Sequence, residues 1–194
     1  MYNSNLLYGK KGIESVIGDG CDLITAFNRV LNYFDPNKNK NYKTKILDCS
    51  YSHMWIEKDI KLFNVEKTKN LTGSITNKRF DTIIYEPPRN KKFFIDATTS
   101  SKLFSKILKP NGIVIVKMND FKEKGSKELK GSFDIWDTFS DAGLYLHDNI
   151  VYKFHKPSNT FEVYDRAEVI HLYFMIFKKK IRTAEISWPK DSGY

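Results

Sequence analysis

The segment from Glu168 to Lys178 restricts this chain more than any other, because both of its alternating sides are apolar. Val169, Tyr173, Met175 and Phe177 fall on one side at strand spacing. Ile170, Leu172, Phe174 and Ile176 fall on the other. A strand like that sits inside a sheet covered on both faces, not at a solvent-facing edge. Ile113 to Lys117, Phe80 to Tyr85 and Lys45 to Cys49 read as further buried strands, with Lys61 to Glu66 and Tyr145 to His155 completing the set.

Between the strands the apolar period changes from two to nearly four. Leu23, Phe27, Val30, Leu31 and Phe34 mark one face of a helix over about 22–34, capped by Asp19 or Asp22. Leu103, Phe104, Ile107 and Leu108 mark another, capped by Thr98, Thr99 or Ser100 and stopped at Lys109-Pro110-Asn111-Gly112. Phe133, Trp136 and Phe139 suggest a short third helix, after a charged surface loop over 119–132. Alternating strands and helices predict an α/β fold of the Rossmann-like type: an open, mostly parallel sheet with one antiparallel strand and helices on both faces. The 194 residues suit one such domain.

Composition narrows the setting. Lys and Arg number 32 against 23 Asp and Glu, a formal charge of +9 spread along the chain. That surplus favours a polyanionic partner such as nucleic acid, although a uniformly Lys/Asn-rich chain also reaches it through biased coding. The two cysteines, Cys21 and Cys49, are too few for a disulfide scaffold and fit a reducing, cytoplasmic setting. The longest aliphatic run, Ile113 to Val116, falls far short of the roughly 20 residues that span a bilayer, so no membrane partner is expected. His53, His147, His155 and His171 share no ligand spacing with the cysteines, and no metal site is expected.

In open α/β sheets, ligands bind beyond the carboxyl ends of the strands. Three such ends carry unusual chemistry: Asp48-Cys49-Ser50, Glu86-Pro87-Pro88-Arg89 and Lys117-Met118-Asn119-Asp120. Two prolines stop strand pairing, stiffen the backbone and leave carbonyls free to accept hydrogen bonds. A carboxylate just before them suits the orientation of an amino group. The plain alternative is a rigid turn with an exposed acid.

Several segments in order extend this reading. Ile46-Leu47-Asp48 leads into Cys49-Ser50-Tyr51-Ser52-His53-Met54-Trp55. Glu66 ends the next strand, and Gly73-Ser74 follows. Phe80-Asp81-Thr82-Ile83-Ile84-Tyr85 leads into Glu86-Pro87-Pro88. Leu108-Lys109-Pro110-Asn111-Gly112 turns into the strand that ends at Lys117, and His171 to Lys178 closes the series. In this order, residues 45–180 resemble the class I S-adenosylmethionine (SAM)-dependent methyltransferases. The likeness is to the small phage- and archaeal-virus-like DNA methylases, whose motif is Asp-Pro-Pro where this chain has Glu-Pro-Pro.

The resemblance implies SAM as cofactor, held by Asp48, Cys49, Ser50, Glu66 and Ser74. It implies Glu86, Pro87 and Pro88 as catalytic groups, acting on an exocyclic amine of DNA, with Arg89, Lys91 and Lys92 against the nucleic acid. Four departures stand out. Tyr51 or Ser52 replaces the family's glycine, Ser74 an aspartate, Glu86 an aspartate, and Arg89 the aromatic or histidine that stacks on a flipped base. They leave open a catalytically inactive, nucleic-acid-binding or assembly subunit of the same fold. A second register places the cofactor loop at Gly18-Asp19-Gly20, with Asp48 as the ribose acid. Lys117 is either a solvated strand end, a phosphate contact, or part of a Lys–acid–Lys–Glu set. That set would join Lys10 or Lys11, Glu86, Lys117 and Glu168, resembling RNA ribose 2′-O-methyltransferases.

Residues 1–44 are expected as a helical extension on the core, 45–180 as the methyltransferase-like domain and 181–194 as a tail. DNA is the expected partner ahead of RNA; a homodimer or a partner subunit stays open. Phe93-Phe94, beside Lys91-Lys92, is either ordinary core or a basic, aromatic lip for stacking bases.

Overall fold

A computed structural model describes residues 14–17, 23–50, 63–68, 75–122, 129–153 and 171–179. Seven strands form one sheet. In chain order they are β1 (Glu14–Ile17), β2 (Lys45–Cys49), β3 (Asn64–Lys67), β4 (Phe80–Tyr85), β5 (Leu108–Met118), β8 (Leu144–Lys153) and β9 (His171–Lys179). A two-stranded ribbon, β6 (Phe121–Lys122) and β7 (Leu129–Lys130), stands apart. Across the main sheet the order is β1-β8-β9-β5-β4-β2-β3. Among the described strands of this sheet, only β9 runs against its neighbours, β5 and β8. This is the open, mostly parallel Rossmann-like sheet with one antiparallel strand that the alternating apolar pattern predicts.

The two-sided apolar strands sort their side chains as the alternation requires. Leu172, Phe174 and Ile176 of β9 join Ile46, Ile84 and Ile115 under α1 (Leu23–Phe34), which buries Ala26, Phe27, Val30 and Leu31. Met175 and Phe177 join Leu47, Ile83, Tyr85, Val114 and Val116 on the opposite face. There α2 (Phe93–Ile107) and α3 (Ser132–Asp141) supply Phe93, Ala97, Phe104, Ile107, Ile135 and Phe139. No helix among the described residues is long and apolar enough to cross a membrane.

Three expectations change. The segment 1–44, expected as a helical extension, contributes a strand as well as α1, since β1 pairs in parallel with β8 at the edge of the sheet. The second helix begins at Phe93, before the Thr98–Ser100 cap positions. Burial of Phe93 and Ala97 carries its apolar face back to the turn. Thr99 Oγ1 donates to the Ile95 carbonyl at 2.8 Å, so one hydroxyl expected at a cap sits satisfied inside the helix. The Lys109–Gly112 turn lies within β5, whose register against β4 jumps from Phe80↔Leu108 to Thr82↔Ile113. The short third helix expected from Phe133, Trp136 and Phe139 is α3, which buries Ile135 and Phe139 and leaves Phe133 and Trp136 exposed.

Candidate active site

The strand order creates a crevice. β3 follows β2 in the chain and pairs on one side of it; β4 comes next and pairs on the other. Chains leaving β2 and β4 therefore diverge at their carboxyl ends, where open α/β sheets take ligands. Asp48 is fully buried there, and its Oδ1 accepts from Ser50 N at 2.9 Å and Ser50 Oγ at 2.6 Å. A carboxylate binding the amide two residues on makes a tight turn directly after the strand. Thr68 N donates to the Asp48 carbonyl at 2.9 Å, which holds the chain after β3 against the same turn.

Two charged residues share one pleat side with Asp48. Asp48 pairs with Ile84, and Ile84 with Ile115. Glu86 and Lys117 each lie two residues further along, on the α1 side. Lys117 Nζ is 3.3 Å from Glu86 Oε1, and both side chains are nearly buried. The Arg89 guanidinium reaches the same oxygen at 3.9 Å from the exposed side. Burial pushes the Lys117 ammonium below the ordinary lysine range; the Glu86 carboxylate pulls it back up, and Arg89 pushes it further down. Glu86, Pro87, Pro88, Arg89 and Asn90 line a cavity of about 300 Å³. Pro87 and Pro88 are buried, while Arg89 and Asn90 are exposed. Tyr85 Oη donates to Asp96 Oδ2 at 2.6 Å, which ties the Pro-Pro turn to the start of α2.

Other residues singled out from the sequence fall elsewhere. Glu66 pairs with Leu47, one residue short of Asp48, and so turns to the α2–α3 side. Its carboxylate is held by Lys78 Nζ at 2.6 Å, and the structure does not bring it to Asp48. Cys49 also packs on the α2–α3 side, where burial and then the Asp48 and Asp96 charges push its thiol pKa far above the usual range. Lys91 and Lys92 are exposed on the turn before α2. Phe93 is fully buried and Phe94 is exposed under Lys130 Nζ at 5.2 Å, so a two-ring lip does not form. Ser74, Gly18, Gly20, Lys10, Lys11, Glu168 and the loop Tyr51–Trp55 lie outside the described residues.

Topology decides against the second register. It requires β1 beside β2, yet β8, β9, β5 and β4 stand between them. Five strand spacings amount to about 24 Å, too far for a loop after β1 and Asp48 to grip one ribose. The sequence did not single out Asn90 at the cavity, because it stands in no periodic pattern and no local signal marks it. Asn119 lies in the strand end already singled out after Lys117, and its buried Oδ1 has no hydrogen-bond partner among the described residues.

No family model matches the chain, and no curated protein matches it significantly. Solved structures do. A SAM-dependent methyltransferase from Leishmania major is 14% identical with a TM-score of 0.52, covering 80% of this chain and 71% of its own. A candidate methyltransferase from Thermoplasma acidophilum is 11% identical with a TM-score of 0.43, covering 86% of this chain and 66% of its own. A candidate DNA modification methylase from Thermus thermophilus is 14% identical with a TM-score of 0.41, covering 54% and 46%. The chain thus spans about two thirds of the Thermoplasma protein and under half of the Thermus protein. At 14% identity the likeness to the Leishmania protein defines a fold alone: that of the SAM-dependent methyltransferases.

Proposed function

We propose that this chain transfers a methyl group from SAM to nucleic acid, with an exocyclic amine of DNA as the acceptor. The observation that carries this reading is the cavity at the Glu86-Pro87-Pro88 turn, beside the crevice at Asp48. SAM fits the crevice through the turn Asp48 makes with Ser50, which presents backbone at the carboxyl end of β2. Asp48 and Ser50 would hold it; Glu66, engaged with Lys78, would not. When bound, SAM supplies an electrophilic methyl group on a sulfonium.

The remaining chemistry belongs to the chain. An exocyclic amine is a poor nucleophile because its lone pair is delocalised into the ring. Glu86 accepts one amine N–H and the Pro87 carbonyl the other, which turns the lone pair toward the methyl and stabilises the positive charge that grows on nitrogen. The buried prolines fix that carbonyl. A duplex base must leave the stack to reach the cavity. Exposed Arg89, Lys91 and Lys92 suit the flanking phosphates.

One observation favours a second acceptor. A buried lysine with a lowered pKa, in contact with a carboxylate, suits removal of a proton from a ribose hydroxyl. The same experiments separate the readings. Calorimetric titration with SAM and S-adenosylhomocysteine comes first; micromolar binding is expected, and none at millimolar ligand from folded protein leaves the non-catalytic module standing. Labelled methyl transfer to DNA and RNA comes next. Glu86→Ala should cut transfer about 10²–10⁴-fold with SAM binding retained. An equal loss in Lys117→Ala, confined to RNA, would move the acceptor to the ribose.

A further inference from the structure

The outer face of α2 carries a basic stripe that starts at the rim of the Glu86-Pro87-Pro88 cavity. Asn90, which lines the cavity, accepts from Lys92 N through its Oδ1 at 2.9 Å and from Phe93 N through its carbonyl at 2.9 Å, so the helix begins there. Phe93, Ala97, Ser100, Ser101, Phe104 and Ile107 turn inward. Lys92, Ile95, Thr99, Lys102 and Lys106 are all exposed and fall at i, i+3, i+7, i+10 and i+14, one line along the outside. The line is about 21 Å long. Lys91 stands beside its first member, on the turn.

An ordinary solvated helix relieves its charge by placing acids three or four residues from bases. Here the one acid of α2, Asp96, is taken up by Tyr85 Oη. Lys91, Lys92, Lys102 and Lys106 form no ion pair with any described residue, Asp137 and Asp141 of the neighbouring α3 included. Lys102 and Lys106, four residues apart, repel each other. Lys91 and Lys92 lie at the amino end of the helix, where its dipole disfavours cations; only Lys106, in the last turn, is favoured by it. Ile95 is 74% exposed in the middle of the lysines. A row of phosphates relieves all of these costs at once. It neutralises the lysines, suits the positive end of the dipole and lays the carbon of sugar and base over Ile95.

We infer that α2 is the docking track for a single-stranded nucleic acid, whose phosphates lie along Lys92, Lys102 and Lys106 as the strand leaves the cavity. The direction of the helix selects a single strand. Because β4 and β5 are parallel, α2 runs back from the carboxyl end of the sheet, away from the cavity mouth. A duplex, stiff over about 50 nm, does not lie across the mouth and also turn down the helix; a single strand does. The inference rests on the reading that nucleic acid is the partner, but not on methyl transfer or on an amine as the acceptor.

The experiment is fluorescence anisotropy of a labelled deoxythymidine dodecamer with the intact chain, without SAM. Thymine has no exocyclic amine, so no methyl acceptor is present. The double variant Lys102→Gln/Lys106→Gln keeps the helix propensity. It should weaken binding about tenfold or more at low salt and lower the slope of log K against log salt by about 1.4, two contacts at about 0.7 each. Ile95→Glu, at an exposed position, should weaken binding as strongly. Lys38→Gln/Lys43→Gln removes the same charge from exposed positions before β2, at the amino end of the sheet, and should change binding less than about twofold. The same dodecamer paired with its deoxyadenosine complement should bind more weakly than the single strand. An equal loss in the two double variants, an unchanged salt slope, an unaffected Ile95→Glu variant or a duplex that binds as tightly as the single strand overturns the inference and leaves the methyl-transfer reading in place. No binding by the wild type up to about 100 µM overturns it together with nucleic acid as the partner. Binding that follows the stripe, with no methyl transferred to any DNA or RNA, supports the inference and sinks methyl transfer alone.

Discussion

Replacing Glu86 by Gln removes the carboxylate charge that sits 3.3 Å from the Lys117 ammonium, itself only 6% exposed. Breaking a buried ion pair from one side costs about 3–5 kcal/mol, because the remaining charge keeps its desolvation penalty. The pair lies at the open end of the sheet, so the low end of that range, about 3 kcal/mol, is expected. For a chain of this length that corresponds to a fall in Tm of about 6–12 °C. The effect carries a pH signature. Burial already holds the folded-state pKa of Lys117 below that of an unfolded lysine, and Glu86 opposes the shift. The unfolded chain therefore binds this proton more tightly than the folded one, and stability rises with pH between the two pKa values. Without Glu86 the folded pKa drops further and the window widens toward neutral. Urea denaturation of wild type, Glu86→Gln, Lys117→Met and the double variant, at neutral pH and about one unit below the unfolded lysine pKa near 10.4, reads both effects. Glu86→Gln should regain stability at the higher pH. Lys117→Met should remove that gain, and the double variant should cost less than the sum of the single ones. A Glu86→Gln loss under about 0.5 kcal/mol, or one unchanged by pH, would refute the argument that this pair is buried and coupled.

Other outcomes are open to simple measurement. Asp81 accepts from Lys45 N at 3.0 Å and from Lys109 Nζ at 2.9 Å; burial works against its charge, but these bonds win and hold its pKa below the usual carboxylate range. Its contribution to stability is present above an unfolded aspartate's pKa of about 3.9 and is lost as pH falls through the folded value, so Asp81→Asn should flatten the acid limb of the stability–pH curve. A Cβ at Gly131 would lie 1.8 Å from Asp120 Oδ1, the acceptor for Ser132 N and Ser132 Oγ at the start of α3. Gly131→Ala should therefore cost about 2 kcal/mol in chemical denaturation through the lost cap. In a Cys21→Ser background, Cys49 should resist a thiol reagent at mildly alkaline pH until the chain is unfolded, since its thiol stays protonated.

The active-site reading was partly legible because the two-residue and near-four-residue apolar periods are local. They marked β4, β5 and β9 as buried on both faces, and α1 as one-sided. The Glu86-Pro87-Pro88 turn was visible because proline acts on its own neighbourhood. Glu66 marks the limit of such signals: its position at a strand end is local, but the side to which it turns depends on pairing with Leu47. The start of α2 lies earlier than expected because a threonine such as Thr99 satisfies its hydroxyl inside a helix as well as at a cap.

What the sequence determined by itself is which segments must be covered on both faces, and hence an α/β sheet with chemistry at its carboxyl ends. Tertiary structure alone decided the neighbours. It sent β1 to the edge beside β8, and so away from Asp48. It set β4 against β5, which placed Lys117 on Glu86 across 31 positions of chain. It also bulged β8 at His147, where the register against β9 skips a residue. Strand order and register depend on which crossovers close over which helices, and that is a property of the whole packed core, with no local periodicity to announce it.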